Sequence, residues 1–314
     1  MIYVEMYGRL GNQFFRYAAA RSIQKKYYPD EKLVISINQI KELGRQDATF
    51  YNVLEDYNVC PYEIYDKEGK VIFKESSLLQ KMICFLYYMG LRKIKVSDMN
   101  KQILFQKKWE NLLSRMGTYW YRNGLHKIQK SNQKNKFISG NFESSNYFSD
   151  IRDDLLKEFT PKHQPLEKNK MLYEKMKDTN SICVSVRRGD FETNEKFKSL
   201  HSVCHKEYFE NAILEIKKHV KEPVFFLFSD DVEWVKENIY TGCETYCEDG
   251  TDPVWEKLRM MSSCKHFIIS NSTFSWWAQY LSTYKNKIVI SPCRWFNNDF
   301  ESPLIEDDFI KIEV

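Results

Sequence analysis

No run of apolar residues in this sequence is long enough to cross a bilayer. The longest, Met82–Met89, has eight residues, against the roughly 20 that a spanning helix needs. No charged segment followed by an apolar run opens the chain. It begins Ile2, Tyr3, Val4 as a strand would, so no signal peptide is expected. The eight cysteines include no C-x-x-C pair, and Cys243 and Cys247, four apart, have no histidine cluster near them. That spacing excludes the usual zinc sites. Cys183 and Cys264 lie in or beside apolar stretches and read as buried thiols. A reducing compartment, the cytoplasm, is therefore expected. Gly-x-Gly-x-x-Gly and P-loop sequences are absent, as are internal repeats. With no RNA-binding signature or basic recognition helix, no nucleic-acid partner is expected.

At 314 residues the chain exceeds one small core and fits one large or two medium domains. Its charge is uneven. Between Lys81 and Lys136, 13 Lys or Arg stand against two acids, Asp98 and Glu110, so this stretch carries +11 and the remainder −7. Two readings stand. One is a solvated helical face. The other is peripheral contact with an anionic membrane, where the basic residues alternate with Trp109, Tyr119, Trp120 and Tyr121.

Periodicity predicts a strand at Ile2–Met6, a helix over Asn12–Lys26 and a strand at Leu33–Ile37. Residues 40–77 read as mixed and loop-rich, Leu78–Asn123 as mainly helical, Phe137–Ser139 as a strand and Asp150–Phe159 as a helix. Pro161–Pro165 is the best linker, dividing the chain into 1–160 and 161–314. Strands at Ser181–Val186, Val224–Phe228, Phe267–Ser270 and Ile288–Ile290 then alternate with helices at His205–Val220, Val232–Ile239, Glu256–Ser263 and Thr273–Leu281. Such alternation predicts a parallel α/β sheet.

Ligands of open α/β sheets bind at the carboxyl ends of the strands, and four polar clusters sit there. Arg187, Arg188, Gly189 and Asp190 leave a buried strand. Their fixed cations suit a phosphate, and a plain Arg–Asp salt bridge is the alternative. Gly8, Arg9, Leu10, Gly11, Asn12 and Gln13 join a strand to a helix, either as an anion site or as a turn with Asn12 as N-cap. Asp230 and Asp231 follow a strand and could hold a metal, a sugar hydroxyl or an arginine, or cap the next helix. Ser270, Asn271, Ser272, Thr273, Phe274 and Ser275 lead from a strand into a helix, where amides and hydroxyls suit a phosphate. Trp276 and Trp277 read as helix packing.

Together these stretches resemble the bacterial-type α-1,2-fucosyltransferases of glycosyltransferase family 11. The matching segments are GRLGNQFFRYAAAR from Gly8, SGNFESSNYFSDIRDDLLKEF from Ser139, VSVRRGDF from Val184, HSVCHKEYFENAI from His201, FLFSDDVEWVKENI from Phe226 and MSSCKHFIISNSTFSWWAQYL from Met261. The resemblance implies a GT-B-like fold of two facing Rossmann-like domains without a membrane anchor. It implies a GDP-fucose donor bound by 161–314, a galactose-terminated acceptor glycan mainly on 1–160, transfer to O2 with inversion, and no metal or other cofactor. On that reading Arg187 contacts the β-phosphate and Asn12 reaches across the cleft. Gly8, Arg9, Gly11, Arg188, Asp230, Ser272, Thr273, Phe274 and Ser275 line the donor. Two positions depart from the family pattern. Ser185 stands where a histidine is usual, and Lys257 where an aspartate is, leaving neighbouring Glu256 as the carboxylate for guanine. A one-step displacement needs a cation for the leaving diphosphate, assigned to Arg187, and a base near the acceptor hydroxyl. Asp190 is the first candidate for that base, with His201 and Glu192 as rivals.

Overall fold

The computed structural model describes the chain from Met1 to Val314, with the side chains of Asp190, Lys196 and Phe197 outside the described residues. It divides into two compact units, Met1–Thr160 and Pro161–Val314.

The first unit holds five strands: β1 (Ile2–Glu5), β2 (Leu33–Ser36), β3 (Tyr62–Ile64), β4 (Thr118–Tyr121) and β5 (Lys136–Gly140). Their order is β3-β2-β1-β5-β4, with every adjacent pair parallel. β1 and β2 are buried along their whole length, as apolar strands covered on both faces must be. The helix Leu10–Tyr27 packs its Phe14, Phe15, Ala18 and Ala19 inward, burying aromatic area worth roughly 1.5–3 kcal/mol per large side chain. It begins two residues before the expected start, with Arg9 rather than Asn12 as N-cap.

The region expected to be mainly helical up to Asn123 contains two helices, Leu78–Arg92 and Met99–Arg115, and then β4. Tyr119, Trp120 and Tyr121 are 0%, 5% and 1% exposed. These rings belong to the sheet core, so they do not alternate with basic residues on a surface. A four-residue strand with bulky side chains on both faces has no period of two to betray it.

The second unit holds β6 (Asn180–Val186), β7 (Pro223–Ser229), β8 (Thr245–Cys247), β9 (His266–Ile269), β10 (Val289–Pro292) and β11 (Ile310–Ile312). The order is β11-β10-β9-β6-β7-β8, again parallel throughout. Ile182, Val184 and Val186 of β6 form the core with Phe209, Ile213 and Ile216 of the helix Lys206–His219. β8, β11 and the helix Lys170–Asp178 went unread in the sequence; all are short or polar. The chain thus carries two Rossmann-like units, as the resemblance implies. From β6 the chain winds outward through β7 and β8, then returns and winds the other way through β9, β10 and β11. The strand order reverses between β6 and β9, which is where ligands enter such sheets.

Candidate functional site

The carboxyl ends of β6, β7 and β9 bring three of the four polar clusters together. Arg187 follows β6, and its Nη1 lies 2.7 Å from Asp230 Oδ2 beyond β7. The other Asp230 oxygen accepts the backbone N–H of Arg188 at 2.9 Å. One carboxylate therefore fixes both a side chain and the turn that carries it. Gly189 makes this possible, since a Cβ there would lie 2.4 Å from Asp230 Oδ2. Arg188 pairs through Nε with Asp231 Oδ2 at 3.2 Å and stacks over the Trp234 ring at 3.9 Å. Asp231 also caps the helix Val232–Asn238 by accepting from Trp234 N. The salt bridge foreseen as an alternative at this strand end is present, with Arg187 25% exposed. A partly exposed arginine held by an acid is a preorganised cation.

At the end of β9, Ser270, Ser275 and Ser185 form a buried chain of hydroxyls. Ser185 Oγ lies 2.6 Å from Ser275 Oγ, which lies 3.2 Å from Ser270 Oγ. Ser185 thus bonds across the point of strand reversal, and Ser275 turns inward to meet it. Ser272, Thr273 and Phe274 stay partly exposed at the start of the helix Thr273–Leu281, where Ser272 is the N-cap but makes no side-chain cap bond. Buried Asn271 donates to the carbonyls of His201 and Trp295 at 2.8 and 2.9 Å, tying the segment after Arg187 to β9. The His201 ring stacks on Phe191 and meets Phe296 edge-on, with centroids 5.0 and 5.2 Å away. Glu192 accepts from Ser202 Oγ at 2.5 Å and pairs with Lys198 at 3.7 Å. Asp190, the leading base of the sequence reading, lies outside the described residues.

Glu256 is fully buried. Its carboxylate accepts from Leu166 N, Asn169 Nδ2 and Arg259 Nη1 at 3.0, 3.2 and 3.0 Å, so it is spent on the chain rather than offered to a base. Neighbouring Lys257 reaches Gly250 O and Glu248. Among the described residues, Glu248, Asp249 and Asp252 could share a cation. Lys168 Nζ already lies 2.6 Å from Asp252 and 3.3 Å from Asp249, supplying that charge from within the chain.

The first unit has its own crevice, between the carboxyl ends of β1 and β5. Gly8 (φ +80°) turns there with no room for a Cβ, which would meet Asn12 at 2.8 Å. Gln13 secures the turn, donating to Gly8 O and Tyr51 O and accepting from Val53 N. Arg9 reaches Asp47 and Thr49, each at 2.9 Å. Asp47 accordingly falls to about 2, chiefly through hydrogen bonds from Thr49 and then from Arg9. Asn12 stays partly exposed, one turn ahead of Arg16 on the same helix face.

Arg16 bridges the crevice, from Glu5 O at 2.7 Å to Asn141 Oδ1 at 3.3 Å, and burial lowers its pKa to about 10. Beyond β5, Phe142 takes φ +55°, an uncommon conformation for a bulky side chain, and Glu143 follows it. Burial pushes the Glu143 carboxyl up to about 7, with Arg16 pulling the other way. Sequence reasoning missed Glu143 and Arg16, although both lie inside quoted segments, because their pairing depends on β5 lying beside β1.

A model described as "Glycosyl transferase family 11" matches residues 1–313. An "O-antigen biosynthesis glycosyltransferase WbnK" of Escherichia coli is 29% identical over 313 residues, 97% of this chain and 98% of that protein. An "Alpha-1,2-colitosyltransferase" of Escherichia coli is 33% identical over 178 residues, 55% of this chain and 60% of its own length. "Galactoside alpha-(1,2)-fucosyltransferase 1" of Homo sapiens is 28% identical over 157 residues, 46% of this chain and 42% of its own length.

Proposed function

The chain belongs to glycosyl transferase family 11, and from that premise we propose that it is an inverting α-1,2-fucosyltransferase carrying L-fucose from GDP-fucose to O2 of a galactose unit in a glycan. The observation that supports this most is Arg187 held by Asp230 at the strand reversal of a Rossmann-like unit. A nucleoside diphosphate leaving group needs a fixed cation where negative charge grows. The human relative is named for this linkage, galactoside alpha-(1,2).

In the proposed reaction the acceptor hydroxyl attacks C1 of fucose on the face opposite GDP. The C1–O bond breaks, and its electron pair leaves on the β-phosphate oxygen. Arg187 stabilises that charge, Arg188 supports it, and Asp230 positions both. Ser272, Thr273 and Phe274 present a helix start to the phosphates. Arg9, tied to Asp47 and Thr49, shapes the Gly8–Gly11 turn. Asn12 orients the reacting groups, and the hydroxyl proton passes to a carboxylate. Asp190 is the base named by the sequence, and Glu143 is the one added by the structure. No resident metal enters this reading, because the acids nearest the arginines are already matched by the chain's own cations.

The name of the colitosyltransferase relative favours a second reading, in which the α-1,2 linkage is kept and the donor sugar differs. A donor screen with linkage analysis of the product separates the two. For the reaction itself, Arg187→Ala should reduce kcat by about 10²–10³ with the fold retained by circular dichroism. Near-normal turnover by that variant would overturn the assignment.

A further inference from the structure

The helix Leu78–Arg92 has two apolar faces, of which the protein covers one. Its inward face carries Gln80, Ile83, Cys84, Tyr87 and Leu91, all buried. Outward stand Leu78, Leu79, Met82, Phe85, Leu86 and Met89, which are 85%, 50%, 54%, 54%, 53% and 41% exposed. At 3.6 residues per turn these six fall within an arc of about 120° on the side away from the core. Scattered exposed leucines are ordinary, but a continuous apolar face on a folded surface marks a contact.

The chain fixes this face in place. Ser77 and Gln80 form a capping box at the helix start, and Gln80 also donates to Met116 O and Asn135 O. Near its end the helix meets the neighbouring helix Met99–Arg115 closely at Gly90, where a Cβ would lie 2.5 Å from Phe105 Cζ. The stripe is thus the outer side of a rigid helix.

Charge identifies the occupant. Arg92 closes the helix, and Lys93 and Lys95 follow it, all exposed. Lys107 and Lys108 are exposed on the adjacent helix. The surrounding stretch carries the +11 noted above. A second copy of the chain docking stripe to stripe would set these lysines against themselves. A bilayer with anionic headgroups offers acyl chains to the stripe and counter-charge to the lysines. No helix among the described residues is long and apolar enough to cross a membrane, so the contact would be peripheral. We propose that the apolar stripe of Leu78–Arg92, with its flanking lysines, docks this enzyme on an anionic lipid surface. The aromatic residues first suspected of that contact are buried in β4 and take no part.

The test is sedimentation of the full chain with vesicles of phosphatidylglycerol mixed with phosphatidylcholine, compared with phosphatidylcholine alone. At low salt the bound fraction should be at least about tenfold higher on the anionic vesicles, because each lysine near such a surface adds attraction, and high salt should lower it. Met82→Glu with Leu86→Glu, and separately Lys93→Glu with Lys95→Glu, should each return binding to the neutral-vesicle level while transfer to a soluble acceptor is unchanged. These positions are exposed and outside the site, and if one pair proves unfolded the other decides. Failure of the wild-type chain to sediment, equal binding to neutral vesicles, or a stripe-dependent dimer without vesicle binding would each overturn the proposal.

Discussion

Single residues carry most of the chemistry, and several act through a neighbour. Gly189 matters because it lets Asp230 approach. In Gly189→Ala the new Cβ would lie 2.4 Å from Asp230 Oδ2, so Asp230 must move and release Arg187. The expected result is a fall of about tenfold or more in kcat, since a displaced electrostatic donor loses much of its effect, with little change in the melting temperature. Glu143 gives a pH test. Its carboxyl titrates at about 7 because burial disfavours the charge, so the basic form gains population as pH rises. If it takes the acceptor proton, kcat/KM should climb through about pH 7, and Glu143→Gln should remove that limb with a loss of about 10²–10⁴. The stability sign is opposite. A carboxyl raised in the fold holds its proton more tightly there, so stability falls as pH rises from the ordinary carboxylate range through about 7. Glu143→Gln should flatten that slope in urea titrations.

At the scale of elements, caps and registers decide where side chains land. Ser77→Ala removes both halves of the capping box that opens Leu78–Arg92 and should cost about 1 kcal/mol in urea unfolding. Long periodic helices were legible: Leu10–Tyr27, Lys206–His219 and Thr273–Leu281 fall within two residues of their expected bounds. β4 was not, because Thr118–Tyr121 presents bulky residues to both faces and follows helical sequence without a break. Strand ends were legible as polar clusters after apolar runs. Which ends are neighbours was not, since Arg187 meets Asp230 only through the pairing of β6 with β7. Ser185 meets Ser275 only through the pairing of β6 with β9.

For the whole molecule, the donor reading makes a thermodynamic demand. A ligand bound by the folded state alone stabilises it by about 2.7 kcal/mol at 100 times its Kd. GDP should therefore raise the melting temperature, and a chelator in excess should leave both that shift and the turnover intact. The absence of any GDP-induced shift would count against the donor. The sequence by itself determined the α/β class and the motifs of the site, because hydrophobic period and strand-to-helix turns are local properties of the chain. Only the tertiary structure decided how the polar residues divide their work. It placed Glu256 and Ser275 inside, left Arg187 partly exposed against Asp230, raised Glu143 beside Arg16, and moved the suspected surface aromatics into a sheet. Those outcomes depend on which strands pair and what they bury, and burial and charge pairing arise between segments far apart in the chain.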